Sequence, residues 1–200
     1  MKLNSIFSKT ALALMCVSGI ASAQTVDVEI TNLTHGIFFT PLLVSSHDAQ
    51  THLFESGQAA TPALQAMAEG GSIADLITNT QALGAVNAAN PAGGLLAPSS
   101  TTTVSDLDTG ANGHLSLVGM LLPTNDGFVG LDAWTIPDEV GTYTLYLNAY
   151  DAGTEVNDEL VNGGGAPGVL GIPVNPGENG GTSGTGVTTT ETNQSVHVHR

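Results

Sequence analysis

Residues 114–131 read His-Leu-Ser-Leu-Val-Gly-Met-Leu-Leu over 114–122, Pro-Thr-Asn-Asp-Gly over 123–127 and Phe-Val-Gly-Leu over 128–131. Two apolar runs separated by a short segment of turn-forming residues predict a strand, a loop and a returning strand. A third strand is expected at 142–150 (TYTLYLNAY), where Tyr143, Leu145, Leu147 and Ala149 share one face. Working outward, 25–33 alternates Val26, Val28 and Ile30 with Asp27, Glu29 and Thr31, the pattern of a half-buried strand. A turn at Thr34-His35-Gly36 leads into a strand at 37–44, where Pro41 requires an edge or a bulge. Further short strands are expected at 100–104 and 195–199.

Helical signals are confined to the long connection between the second strand and the one at 100–104. Thr61 as N-cap, Pro62 at the first helical position and Gly70-Gly71 as the stop bracket one short helix. Residues 72–83, with Ser72 as cap and Asp75 three positions on, suggest a second. Residues 84–98, rich in Ala, Asn, Gly and Pro, read as a loop, as does a longer Gly-rich stretch at 162–194. The chain holds 25 glycines and 9 prolines and shows no internal repeat. The expected fold is all-β, an antiparallel β-sandwich with one or two short helices in an inter-strand connection.

Charge and compartment come next. Lys2 and Lys9 flank the start of an apolar run at 10–20, and Ala21-Ser22-Ala23 precedes Gln24. A cleaved secretory signal peptide is expected at 1–23, leaving 24–200 as one domain that is secreted or periplasmic. The apolar run is too short for a spanning helix, and Met15 stands where a lipoprotein signal before Cys16 would have a small residue. Cleavage would remove Cys16, the sole cysteine, and with it any disulfide or thiol chemistry. Against 18 acidic residues the chain has three basic ones, a net charge of −15, and only Arg200 is basic outside the signal. Such a surface disfavours nucleic acid and anionic lipid, and suits salty surroundings that screen its self-repulsion. Schiff-base chemistry and a phosphate clamp are nearly excluded for want of lysine and arginine.

If neighbouring strands are antiparallel, the loop holding Asp126 and the loop opening at Asp151 lie at the same pole. That gathers Asp126, Asp151 and Glu155, with Asp158 and Glu159 nearby. Calcium suits clustered carboxylates on flexible loops, because it takes 6–8 oxygen ligands in permissive geometry. Gly153 allows the sharp turn that would aim Asp151 and Glu155 at one ion. The plain alternative is a solvated acidic surface. A rival site is offered by His197 and His199, two apart on a predicted strand and so on one face. With a third imidazole from His35, His47, His52 or His114 they could ligate zinc or copper.

Catalysis finds little support. Ser45-Ser46-His47-Asp48 uses triad residue types, but triads are assembled from distant segments. No nucleophile elbow, zinc-protease helix, P-loop or dinucleotide fingerprint is present. The expectation is a binding module rather than an enzyme, with a secreted His-dependent metalloprotein or hydrolase as the alternative. Trp134, Tyr143, Tyr146 and Tyr150 could stack on sugars, but so few aromatics are expected to serve the core. The sequons at Asn32-Leu33-Thr34 and Asn193-Gln194-Ser195 matter only where secreted proteins are glycosylated.

Two segments, Leu122-Pro123-Thr124-Asn125-Asp126-Gly127-Phe128-Val129-Gly130 and Asp151-Ala152-Gly153-Thr154-Glu155, resemble the best-marked motifs of the spondin N-terminal domain family. Asn32-Leu33-Thr34, the TPLLV stretch at 40–44, His47, the LFESG stretch at 53–57, Glu69-Gly70-Gly71 and Val196-His197-Val198-His199 resemble its bacterial members in order and spacing. The resemblance implies an antiparallel sandwich similar to C2 domains. It also implies one calcium held at positions matching Asp126, Asp151 and Glu155. Glu155 stands where the family has Asp, Gly127 replaces an aromatic residue of animal members, and the animal cysteines are absent. An adhesive or interaction role toward an extracellular protein, glycan or surface ligand follows as an expectation.

Overall fold

The computed structural model describes residues 24–155 and 195–199. The expected signal peptide at 1–23, the Gly-rich stretch at 162–194, Asp158 and Glu159 lie outside them. The elements are β1 (Thr25–Thr31), β2 (Phe38–Phe39), β3 (Leu43–His47), α1 (Pro62–Gly70), α2 (Ala74–Ala82), β4 (Val86–Ala89), β5 (Thr101–Asp108), β6 (His114–Leu122), β7 (Gly127–Thr135), β8 (Asn148–Asp151) and β9 (His197–Val198). All strand pairs are antiparallel. β1 and β5 form a two-stranded sheet, and the other seven strands form a large one in the order β4-β3-β6-β7-β8-β9, with β2 also on β6.

β6 is the spine of this arrangement. Its residues alternate between two buried faces, so its long apolar run needs cover on both sides. Leu115 and Leu117 join Leu42, Val44 and Val129 beneath Ile30, Val104 and Leu107 of the β1–β5 ribbon. Val118, Met120 and Leu122 join Leu43 and Phe128 beneath Leu64, Met67 and Leu76 of the helices. The sandwich is therefore unequal. A narrow ribbon covers one face of the large sheet, and α1 and α2 cover the other.

Several expected elements shift. The strand expected at 37–44 is divided into β2 and β3 around Pro41, which has no N–H for the ladder. Thr40 bridges the break: its N–H donates to the Met120 carbonyl, and its hydroxyl accepts the Met120 N–H. Helix α1 starts as expected, with Thr61 Oγ1 accepting the Leu64 N–H at 3.1 Å, and ends at Gly71 in the left-handed region. Helix α2 begins later than expected, after Ile73, and Ser72 does not cap it. Within the expected loop at 84–98, β4 pairs with β3, Leu43 opposite Ala89 and Ser46 opposite Val86. The strand expected at 142–150 forms only from Asn148. Beyond the Gly130–Asn148 pair, β7 bends at a bulge, and 142–147 has no ladder partner among the described residues.

Candidate metal centre

The 123–127 turn joins β6 to β7, and the 151–155 turn leaves β8. Gly127 pairs with Asp151 and Phe128 with Tyr150, so the turns are held side by side at one end of the sheet. A ring trio lies beneath them: Phe54 packs edge-on against Phe128 (5.0 Å) and Tyr150 (4.8 Å), which stack on each other at 5.4 Å. Such pairs contribute about 0.5–1.5 kcal/mol each beyond area burial. Their placement ties Gly127 and Asp151 to the core at the adjoining residue. Gly127 is sterically required, since a Cβ there would lie 2.6 Å from Thr124 Oγ1. This explains why an aromatic side chain has no room at that position here.

The second turn wraps the first. Ala152 N–H donates to the Asp126 carbonyl (3.1 Å), while Thr154 N–H and Glu155 N–H both donate to Asp126 Oδ2 (3.0 and 3.1 Å). Gly153, at φ +70°, makes the reversal, and its N–H donates to Asp151 Oδ1 at 2.7 Å. Asp126, Asp151 and Glu155 are all buried, at 7%, 2% and 2% exposure. Burial, then the charge of Asp151, pushes the Asp126 carboxyl up to about 7, and the N–H donors of Thr154 and Glu155 only partly oppose this. Lysine and arginine are absent from the described residues. Among the described residues His197 approaches the pair: its Nε2 lies 3.7 Å from Asp151 Oδ2 while its Nδ1–H donates to the Ser195 carbonyl.

Asp126 and Asp151 are thus brought together as expected from strand parity, and Glu155 joins them through its main chain. No group of three His, Cys, Asp or Glu side chains with metal-holding geometry occurs among the described residues. The donor set is nonetheless all oxygen. Asn125 Oδ1 and Thr154 Oγ1, in the same two turns, are buried with no hydrogen-bond partner among the described residues. Carboxylates with neutral oxygens fit a hard cation such as calcium better than zinc.

The family model Spondin_N matches residues 30–158. The chain belongs to the Spondin_N family. The match begins at the end of β1 and covers β2 to β8, both helices and both acidic turns, so the fold and the spondin domain type, typical of extracellular proteins, rest on most of the chain. No curated protein matches this Spondin_N chain. Among its described residues no helix is long and apolar enough to cross a membrane.

The histidines are distributed differently from the rival reading. His197 belongs to the acidic pole and His199 is exposed beyond β9, whereas His47 pairs with His114 at the opposite end of the large sheet. Ser45, Ser46 and His47 are all buried, and His47 Nε2 meets Ser116 Oγ rather than either neighbouring serine. Of the tyrosines, Tyr150 is half-buried against the helix-side core, while Tyr143 and Tyr146 are exposed and Tyr143 leans on Trp134. The contact of His197 with Asp151 had no signal in the sequence. It depends on the β8–β9 register, which no local pattern encodes.

Proposed function

We propose that this Spondin_N domain is an exported calcium-binding module that works by binding rather than catalysis. It would mediate adhesion or another interaction with an extracellular protein, glycan or surface ligand. The observation that carries the reading is the Asp126–Asp151 pair, buried face to face with no lysine or arginine among the described residues to offset it. Asp126 and Asp151 would hold the ion, with Glu155 as the third acidic residue and Asn125 and Thr154 as neutral oxygen donors of the same turns. When bound, calcium supplies the positive charge that the carboxylates lack and cross-links the two turns. The chain's own contribution is to pre-position the pair: the ring trio fixes the strand ends, and the 152–155 amides orient Asp126. A weak site would suffice, since extracellular modules work at about 10⁻⁴–10⁻³ M calcium.

Calorimetric titration with calcium, paired with melting in calcium and in chelator, tests this. Binding and a raised Tm are expected for the wild type, and both should be lost in Asp151→Asn. If calcium neither binds nor raises Tm, and Asp151→Asn behaves as wild type, the proposal fails. Zinc or copper binding that disappears in His197→Ala would move the site to the imidazoles.

A further inference from the structure

The end of the large sheet opposite Asp126 carries a second polar group, which the acidic pole does not use. His47 closes β3 and sits opposite His114, which opens β6. Their rings stack at 6.4 Å, and His114 Nδ1 is buried with no partner among the described residues. Two residues further along β6, Ser116 faces two residues of β7, Asp132 and Ala133, across the β6–β7 bulge. His52, on the connection after β3, places Nδ1 2.8 Å from Asp132 Oδ2.

The hydrogen bonds fix the protonation of His47. Its Nδ1 lies 2.7 Å from the Asp48 carbonyl, which can only accept, so Nδ1 carries the hydrogen. In the neutral ring Nε2 is then an acceptor, and it takes the Ser116 O–H at 2.7 Å. Ser116 Oγ in turn accepts the Ala133 N–H at 2.8 Å, at a residue held at φ +45°. The neutral imidazole thus completes a buried chain from β3 through β6 to the bulge of β7. Protonated Nε2 would donate instead. Ser116 Oγ would face two donors, and its own proton would lose its buried acceptor.

Counting charges points the same way. The groups facing His47 are His114 on β6, Asp132 on β7 and His52 on the connection, with Glu55 beside Asp132. Of the nearby carboxylates, Asp132 already holds His52 and Asp48, next to His47 in sequence, is engaged by the Gln50 N–H and the Thr51 hydroxyl. Burial, reinforced by His114 and His52, keeps His47 below the ordinary histidine range, against the opposing pull of the Asp48 carbonyl and Asp132.

We propose that the His47–Ser116–Ala133 chain, with His114 stacked on His47, is a proton-released latch, distinct from the neighbouring His52–Asp132 pair, which protonation does not weaken. The latch fastens residues 48–57 and the β7 bulge to the end of the sheet. The fastened connection carries Leu53 and Phe54 into the helix-side core, so its release is visible as lost amide protection. Acidic surroundings would open this end of the domain and, by releasing Phe54, withdraw one ring of the trio beneath the acidic turns while the β6–β7–β8 pairs remain closed.

The experiment follows the His47 ring by NMR from about pH 8 to about pH 5. In parallel it measures amide exchange, corrected for its intrinsic pH dependence, at Ala133 and residues 51–57. The expected result is a large loss of protection, tenfold or more, with the same midpoint as His47. In His47→Gln, whose amide oxygen can accept the Ser116 O–H without gaining charge, that loss should disappear. Constant protection at Ala133 while His47 titrates would overturn the proposal. So would opening of 51–57 at an unchanged midpoint in His47→Gln. Should that variant fail to fold, the wild-type comparison of His47 with Ala133 decides alone.

Discussion

At Asp126 a single carboxyl reports on the whole acidic pole. Folded, it stays protonated up to about 7, against 3.8 for an ordinary aspartate. The folded chain therefore binds the proton more tightly than the unfolded chain. Without a cation, stability is greatest below the lower value, falls as pH rises between the two, and stays reduced above the higher one. The full penalty is on the order of a few kcal/mol. Asn in its place can accept the Thr154 and Glu155 N–H groups without the charge. In chelator at about pH 8, Asp126→Asn should therefore melt above the wild type, and in calcium the order should reverse. A variant that melts lower in chelator would contradict this account. Asn32 makes a different point. Its amide donates to the Ile37 and Leu96 carbonyls and accepts from the Thr34 N–H and hydroxyl, all at 2.7–3.0 Å. A fully buried amide so engaged serves the fold, and the sequon it opens is closed to a glycan once the chain has folded.

Among the elements, the two helices separate local from tertiary control. Thr61, Pro62 and Gly71 write the start and stop of α1 into its own sequence, and the cap bond is made. Ser72 has the right residue type for a cap, but the chain is still leaving the Gly71 turn there, its N–H bonded to the Ala66 carbonyl. Thr61→Ala should cost about 1 kcal/mol in urea unfolding, and Ser72→Ala less than about 0.5 kcal/mol. Equal losses would show that α2 has the cap its sequence suggests. Strands behave differently because their bonds go to other strands. Val86-Asn87-Ala88-Ala89 has little strand propensity but forms β4, since β3 offers a ladder and Asn87 Nδ2 reaches Thr80 Oγ1 of α2. Residues 142–147 have every local mark of a strand and form none, because β7 has turned away at its bulge.

Across the molecule, −15 net charges on 200 residues leave self-repulsion as a standing cost of compactness. In chelator, raising NaCl from about 20 mM to about 0.5 M shortens the Debye length severalfold and should raise Tm by about 3 °C. A Tm indifferent to salt would mean that the acidic groups are too dispersed to matter. At this scale the division between sequence and fold is clear. The two apolar runs and the short turn between them at 114–131 determined antiparallel strands, because Pro, Asn, Asp and Gly end the first run and return the chain beside it. Strand parity determined that Asp126 and Asp151 share a pole. Only the tertiary structure decided that β6 is covered by a ribbon on one face and helices on the other. It alone decided that His197 stands beside Asp151 and that His47, His52 and His114 gather at the far end. Those contacts depend on the register between strands distant in sequence, and register is set by how whole surfaces pack, which no local pattern records.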